Sequence, residues 1–253
     1  MAGTWSSGGN LATARYVLAG SGTQDAGLCM GGNDTGNAKS AVTEEYNGTS
    51  WSSGGNLVAT ARYGLAGAGT QTAGLCMGGF SSTGSSAVTE EYNGTSWSSG
   101  GNLATARHYL AGAGTQDAGL CMGGMAGGSS AVTEEYNGTS WSSGGNLATA
   151  RYVLAGSGTQ DAGLCMGGYV SAVSAVTEEY DGASWSSGGN LATARGELTG
   201  AGTQTAGLCM GGRISTASVV TEEYGAAATG HPTIKRFGGI PFTRSASQGV
   251  HVW

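Results

Sequence analysis

The sequence predicts an all-β fold, a five-bladed β-propeller of four-stranded blades, and three observations carry that prediction. A unit opening W-S-S-G-G-N-L-A-T-A-R recurs from Trp5, Trp51, Trp97, Trp141 and Trp185, at spacings of 46, 46, 44 and 44 residues. Periods of this length belong to solenoids, propellers and arrays, in which each unit buries its apolar face against the next. Inside the unit, short apolar and β-branched runs alternate with glycine pairs and Asn-Gly turns, and no 3.6-residue period lasts long enough for a helix. The chain has 51 glycines and only 2 prolines, but it is 39% apolar with 10 Tyr and 6 Trp, so it has the means to build a core.

The second copy shows the expected elements. Residues 63–70 (Y-G-L-A-G-A-G-T) make a first strand of small side chains, suited to the crowded axis of a ring with few blades. Residues 73–77 (A-G-L-C-M) are apolar throughout, as a strand covered on both faces must be. Residues 87–92 (A-V-T-E-E-Y) alternate, and residues 95–99 (T-S-W-S-S) follow Asn93-Gly94, a pair expected to form a type I′ turn. The chain starts at a fourth strand (residues 4–7) and its last repeat ends after a third (residues 219–224). The N-terminal strand is therefore expected to complete the last blade and close the ring, hiding its free edges. An open array, or a larger ring of several chains, is the competing arrangement. Residues 1–225 form the propeller and residues 226–253 a tail of different character.

The Gly78-Gly79 pair ending the second strand, Tyr92, Trp97 five residues later and Arg107 ten beyond it form a pattern repeated in the other copies. This pattern resembles the kelch repeat, over residues 3–224. The resemblance implies a propeller of four-stranded antiparallel blades, although kelch propellers more often have six or seven. Neither Trp-Asp nor the Gly-His signature recurs, which sets aside the WD40 alternative.

Charge and cysteine usage exclude several classes. Residues 1–225 carry 7 basic and 16 acidic side chains, and residues 226–253 carry 3 basic and none acidic. An acidic body does not suit nucleic acid, which rewards clustered Lys and Arg. Cys29, Cys76, Cys121, Cys165 and Cys209 fill one slot of one strand, so they read as buried free thiols made in a reducing, cytoplasmic compartment. No apolar run reaches 18 residues and the start shows no signal-peptide pattern, so no membrane contact is expected.

The copies differ in particular places. The loop after each Gly-Gly reads N-D-T-G-N-A-K-S, F-S-S-T-G-S-S, M-A-G-G-S-S, Y-V-S-A-V-S and R-I-S-T-A-S, starting at Asn33, Phe80, Met125, Tyr169 and Arg213. After each repeat Arg the chain reads Tyr16-Val17, Tyr63-Gly64, His108-Tyr109, Tyr152-Val153 and Gly196-Glu197, and Val58 is inserted just before one of these. Alternating strand direction puts both stretches on one face of the disc and the nearly constant Gly-Thr-Gln and Asn-Gly-Thr loops on the other. Variable loops on a rigid scaffold are where binding residues sit, and Tyr, Phe, Met and Arg are enriched at recognition surfaces. Asn33, Asp34, Phe80, Met125, Tyr169, Val170, Arg213, Ile214, Tyr16, Tyr63, His108, Tyr109, Tyr152 and Glu197 are the candidate binding residues. Unselected loop drift is the competing explanation, but it leaves the constancy of the other face unexplained.

Catalytic patterns are weak. Glu44-Glu45 and its four equivalents are adjacent in a strand, so the two carboxylates point to opposite faces and cannot share a substrate. One of each pair is expected to meet the repeat's Arg (Arg15, Arg62, Arg107, Arg151, Arg195). The sequons at Asn47, Asn93 and Asn137 give way to Asp181-Gly-Ala in the fourth copy, which keeps a turn and loses the acceptor. Some kelch-like propellers are copper oxidases, but no Tyr/His/Cys set for that chemistry can be assembled here. Neither enzyme activity nor a metal or other cofactor is expected. The expected function is a non-enzymatic recognition module, with a protein or glycan on the variable face and an assembly partner for the tail. Ile234, Phe237, Ile240, Phe242, Val250 and Trp253 of the tail are apolar enough to fill a groove or sheet edge. This layout suits a phage or virion appendage; an intracellular kelch-type adaptor is the alternative.

Overall fold

The computed structural model describes residues 6–225. They form five antiparallel blade sheets in chain order, each a simple meander, and two small two-stranded sheets, Arg15–Tyr16 with Asn33–Asp34 and Phe80–Ser81 with Gly84–Ser85. The first blade contains Ala19–Gly22, Gly27–Met30, Thr43–Tyr46 and Trp51–Ser53. The second contains Ala66–Gly69, Gly74–Met77, Thr89–Tyr92 and Trp97–Ser99. The third and fourth repeat this plan from Ala111–Gly114 to Trp141–Ser143 and from Ala155–Gly158 to Trp185–Ser187. The fifth has three strands, Thr199–Gly202, Ala206–Met210 and Thr221–Gly225.

The inner strands of successive blades pack side by side, and their small residues permit a close approach. A Cβ on Gly67 would lie 2.9 Å from Gly20 O, and Gly112, Gly156 and Gly200 meet the preceding blade in the same way. The arrangement is propeller-like, with a cavity of about 310 Å³ lined by the inner strands of all five blades.

The expected closure by the N-terminal strand is not observed. Among the described residues the fifth sheet has no fourth strand, and Ser6 and Ser7 of the proposed closing strand are described without strand structure. The inner strands of the first and fifth blades do not pack together, whereas each consecutive pair does. Gly9 N–H donates to the Tyr46 hydroxyl and Ala12 N–H to Glu44 Oε2, so the stretch after the proposed closing strand is held on the first blade just as Gly55 and Val58 are held on the second. The remainder of the proposed closing strand lies outside the described residues, as does the tail.

The core consists of one apolar cluster per seam. The seam between the first and second blades joins Leu28, Met30, Leu57, Leu65, Cys76, Tyr92 and Trp97, and three equivalents follow. Each repeat Arg is buried inside its own blade. Arg107 Nη2 lies 2.8 Å from Glu134 Oε1 and donates to Cys121 Sγ, while Nη1 donates to the Gly123 and Val132 carbonyls. The expected Arg–Glu pairs are thus present in all five blades, at 2.7–2.9 Å. The other glutamate of the pair has a separate role: Glu45, Glu91, Glu135 and Glu179 each accept a hydrogen bond from a tyrosine of the next blade. All five cysteines are buried and unpaired, and burial raises their thiols, Cys76 and Cys121 to about 11. Such thiols are poor nucleophiles.

The outer hairpin differs from the expected type I′ turn. Only its glycine has positive φ (Gly48, 87°; Gly94, 85°), and the asparagine stays outside the left-handed region. The asparagine works through its side chain instead, Asn47 Oδ1 accepting from Thr49 and Ser50 N–H. Asp181 Oδ1 accepts from Ala183 and Ser184 in the same way, which explains how aspartate replaces asparagine here.

Candidate functional site

The two variable stretches of each repeat are physically joined. Tyr16 pairs with Asn33, Tyr63 with Phe80, His108 with Met125, Tyr152 with Tyr169 and Gly196 with Arg213, all antiparallel. A residue after the repeat Arg therefore lies beside the first residue of the loop after Gly-Gly in every blade. The constant loops meet at the other end, where a Cβ on Gly48 would lie 3.4 Å from Asp25 Oδ1.

Side chains from the second and third blades form one aromatic patch. Tyr63 and Phe80 have ring centroids 5.6 Å apart, Phe80 and His108 4.9 Å, His108 and Tyr109 4.8 Å, and Tyr63 and Tyr109 5.9 Å. Lys39 Nζ of the first blade stands 5.7 Å from the Tyr63 centroid and 5.8 Å from that of Phe80, within cation–π range. His108 Nδ1 lies 2.9 Å from Ser85 Oγ, and desolvation lowers its pKa, which favours the neutral imidazole. Tyr109 is pushed up to about 12, by burial first and then by Tyr63, Glu197 and Tyr16 nearby. A second patch lies on the fourth blade, where Tyr152 and Tyr169 stack at 5.7 Å. The Tyr169 ring covers Gly196, where a Cβ would come within 2.1 Å of it.

Under these rings runs a chain of strained backbone. Val17, Gly64, Tyr109, Val153 and Glu197 occupy one repeat position and all have left-handed φ, from 47° to 60°. Valine rarely adopts this conformation, because its branched side chain crowds the backbone there. The strain is held by hydrogen bonds between blades: Gly64 N–H donates to Val17 O, Tyr109 to Gly64, Val153 to Tyr109 and Glu197 to Val153, at 2.7–3.0 Å. This variable repeat position is thus held in one backbone geometry in every blade.

The remaining predicted residues fall outside the patch. Asn33 is buried with Oδ1 unpaired, and Asp34 Oδ1 accepts from Gly36 and Ala38 of its own loop, which makes it a loop-shaping residue. Tyr16 bonds Asn37, and Met125 pairs with His108 through backbone alone. Val170, Arg213, Ile214 and Glu197 are exposed at loop tips, and Arg213 makes no ion pair among the described residues. Ile234, Phe237, Ile240, Phe242, Val250 and Trp253 lie outside the described residues. Sequence reasoning missed Lys39, although it is the single lysine of residues 1–225 and lies in the longest variable loop.

The central cavity is lined by Gly, Ala, Leu, Ser and Thr, with no ionisable group. Among the described residues no three His, Cys, Asp or Glu side chains converge on a possible metal position. No helix there is long and apolar enough to cross a membrane. No protein-family model and no curated protein matches the chain. The propeller-like arrangement therefore rests on the sheets themselves.

Proposed function

We propose that this protein is a non-enzymatic recognition module, related in its repeat to the kelch type, that binds a glycan or a protein through its variable face. The observation that supports this most directly is the patch of Tyr63, Phe80, His108 and Tyr109 with Lys39 at its edge, built from three repeats at positions where the repeats differ. Aromatic rings supply flat apolar area with little conformational entropy to lose, and they stack on sugar C–H faces as readily as on peptide groups. The αL string beneath sets the rings from the backbone, so the platform exists before the ligand arrives. Screening against a glycan array and a panel of cell-surface proteins, followed by calorimetry of any hit, tests the reading. Tyr63→Ala and Tyr109→Ala should each weaken binding about tenfold or more with the fold retained, because central aromatic contacts dominate such interfaces. A ligand held equally well by both variants would show that the patch is not the site.

The biological setting that fits a compact head with a short basic, apolar tail is a phage or virion appendage, of tail-fibre or head-decoration type. Removing residues 226–253 should then leave a folded propeller that no longer attaches to its particle. The five unpaired cysteines favour synthesis in a reducing compartment, which would also suit an intracellular interaction adaptor.

A further inference from the structure

Four seams between blades are built from the same parts, and the two surfaces that would make a fifth stand apart at the ends of the arc. We propose that these end surfaces bind each other between molecules, the fifth blade of one chain docking head to tail on the first blade of a second copy.

Every built seam carries an amide clasp. Gln71 Nε2 donates to Gly27 O at 3.1 Å and Tyr46 O at 2.7 Å, and Gln116, Gln160 and Gln204 clasp the preceding blade identically. Gln24 holds the same repeat position on the first blade, but it is exposed and bonds none of the described residues. Its matching acceptors, by repeat position, are the Gly207 and Tyr224 carbonyls on the fifth blade. Each seam also seats a leucine on a glycine: a Cβ on Gly74 would lie 2.6 Å from Leu28 Cδ2, and Gly119, Gly163 and Gly207 take Leu75, Leu120 and Leu164. The unused knob, Leu208, is half-buried where its counterparts are fully buried, and Gly27 has no leucine above it, the Trp51 ring lying 3.6 Å from where its Cβ would be. Leu57, Leu103, Leu147 and Leu191 each donate N–H to an alanine carbonyl of the blade before. Their first-repeat counterpart, Leu11, is without that bond, and the position it would cover, Val219, is 95% exposed.

Two further groups point to the same partner. Trp97, Trp141 and Trp185 donate to Thr43, Thr89 and Thr133 of the preceding blade, while Thr177 Oγ1 is buried with no partner among the described residues. Among the described residues, the third strand of the fifth blade, Thr221–Gly225, has no partner on its outer side, where every other blade carries a Trp-Ser-Ser strand. A second copy brings three of the missing pieces on its first blade: Gln24, Gly27 and Leu11. The contact is heterologous, so it propagates into a ring or a filament according to the rotation per chain.

Mass measured by light scattering and sedimentation over a wide concentration range tests this on the full chain. The wild type should assemble into multiples of 24.8 kDa. Gly20→Ala is the sharpest variant. In the single chain its new methyl meets only Leu28 O at 3.5 Å, an ordinary contact, so folding and thermal midpoint should hold. Across a repeated seam the same methyl would face Gly200 O at the 2.9 Å clash found for Gly67, so self-association should fall more than tenfold. Gln24→Ala, which removes two neutral hydrogen bonds, should weaken association about tenfold. A wild type that stays at 24.8 kDa at every concentration overturns the proposal. Assemblies of unchanged mass in both variants overturn it equally, as does a monomer whose thermal midpoint Gln24→Ala lowers as much as the internal-seam control Gln116→Ala, since the seam would then close within one chain.

Discussion

At the scale of single residues, the most informative position is the left-handed one after the repeat Arg. Glycine occupies it only in the second copy, at Gly64, and there for a second reason: a Cβ would lie 2.9 Å from the Tyr109 ring. Val153, with a branched side chain, adopts φ 47° at the equivalent position. A strained residue of this kind costs roughly 1–3 kcal/mol, while the added freedom of glycine in the unfolded chain costs roughly 0.4–1 kcal/mol. Val153→Gly should therefore stabilise the protein by about 1 kcal/mol, or about 2–4 °C in thermal midpoint for a chain of this size. Calorimetry checks it, and a lowered midpoint would mean that the valine side chain contributes more by packing than the backbone loses by strain. None of this strain was legible in the sequence, where Tyr-Val, His-Tyr and Gly-Glu looked like unrelated pairs. Backbone geometry is shared across the copies by hydrogen bonds between main chains, and those leave no mark on residue identity.

At the scale of the blade, the Arg–Glu pair decides whether the meander holds its two loops. Arg107 joins Glu134, the Gly123 and Val132 carbonyls and Cys121, and Glu134 also accepts from Ala104 N–H, so one buried pair ties three connections together. Removing the arginine leaves an uncompensated buried carboxylate and takes the Nη1 donor from the Gly123 carbonyl, while Val132 O keeps the Gly123 N–H. Arg107→Met should cost about 3–5 kcal/mol in urea denaturation. Arg195→Met should cost less, because the Glu222 side chain of the end blade retains 12% exposure and can be rehydrated. Equal losses at the two sites would show that the end blade is covered in solution. The pairing itself was readable, since one Glu of an adjacent pair must face inward and a single Arg recurs to meet it. The outer turn was misread: Asn-Gly suggested two left-handed residues, whereas the side-chain oxygen of Asn47 takes the place of one of them. The substitution at Asp181 already held that information, since aspartate conserves the oxygen.

At the scale of the molecule, the blades are a row of nearly equal units whose stability resides in the seams between them. The number of blades and their order were legible because repetition records them directly. Closure was not, because the same two complementary end surfaces can meet within a chain or between chains, and the sequence of one repeat is the same in both cases. What the seams share chemically leads to a prediction about pH. Tyr92, Tyr136, Tyr180 and Tyr224 each donate from their hydroxyl to a glutamate of the preceding blade, one per built seam. Burial first, and then that carboxylate, push Tyr92, Tyr136 and Tyr180 from 10.0 up to about 12. An acid whose pKa is raised on folding stabilises the fold while it stays protonated. Its contribution is therefore complete below the unfolded value of 10.0 and declines as pH rises towards about 12, where a phenolate would face a carboxylate across every seam. The buried thiols, raised from 9.0 to about 11 in Cys76 and Cys121, act in the same direction slightly earlier. The urea midpoint should hold level up to about pH 9 and then fall continuously to about pH 12. Replacing Tyr92, Tyr136 and Tyr180 together by Phe should lower the midpoint at neutral pH but flatten the alkaline slope, because the titrating hydroxyls are gone. A triple variant with the wild-type slope would place the alkaline weakness in the thiols, and a flat wild-type profile would remove the tyrosine–glutamate contacts from the account of what joins the blades.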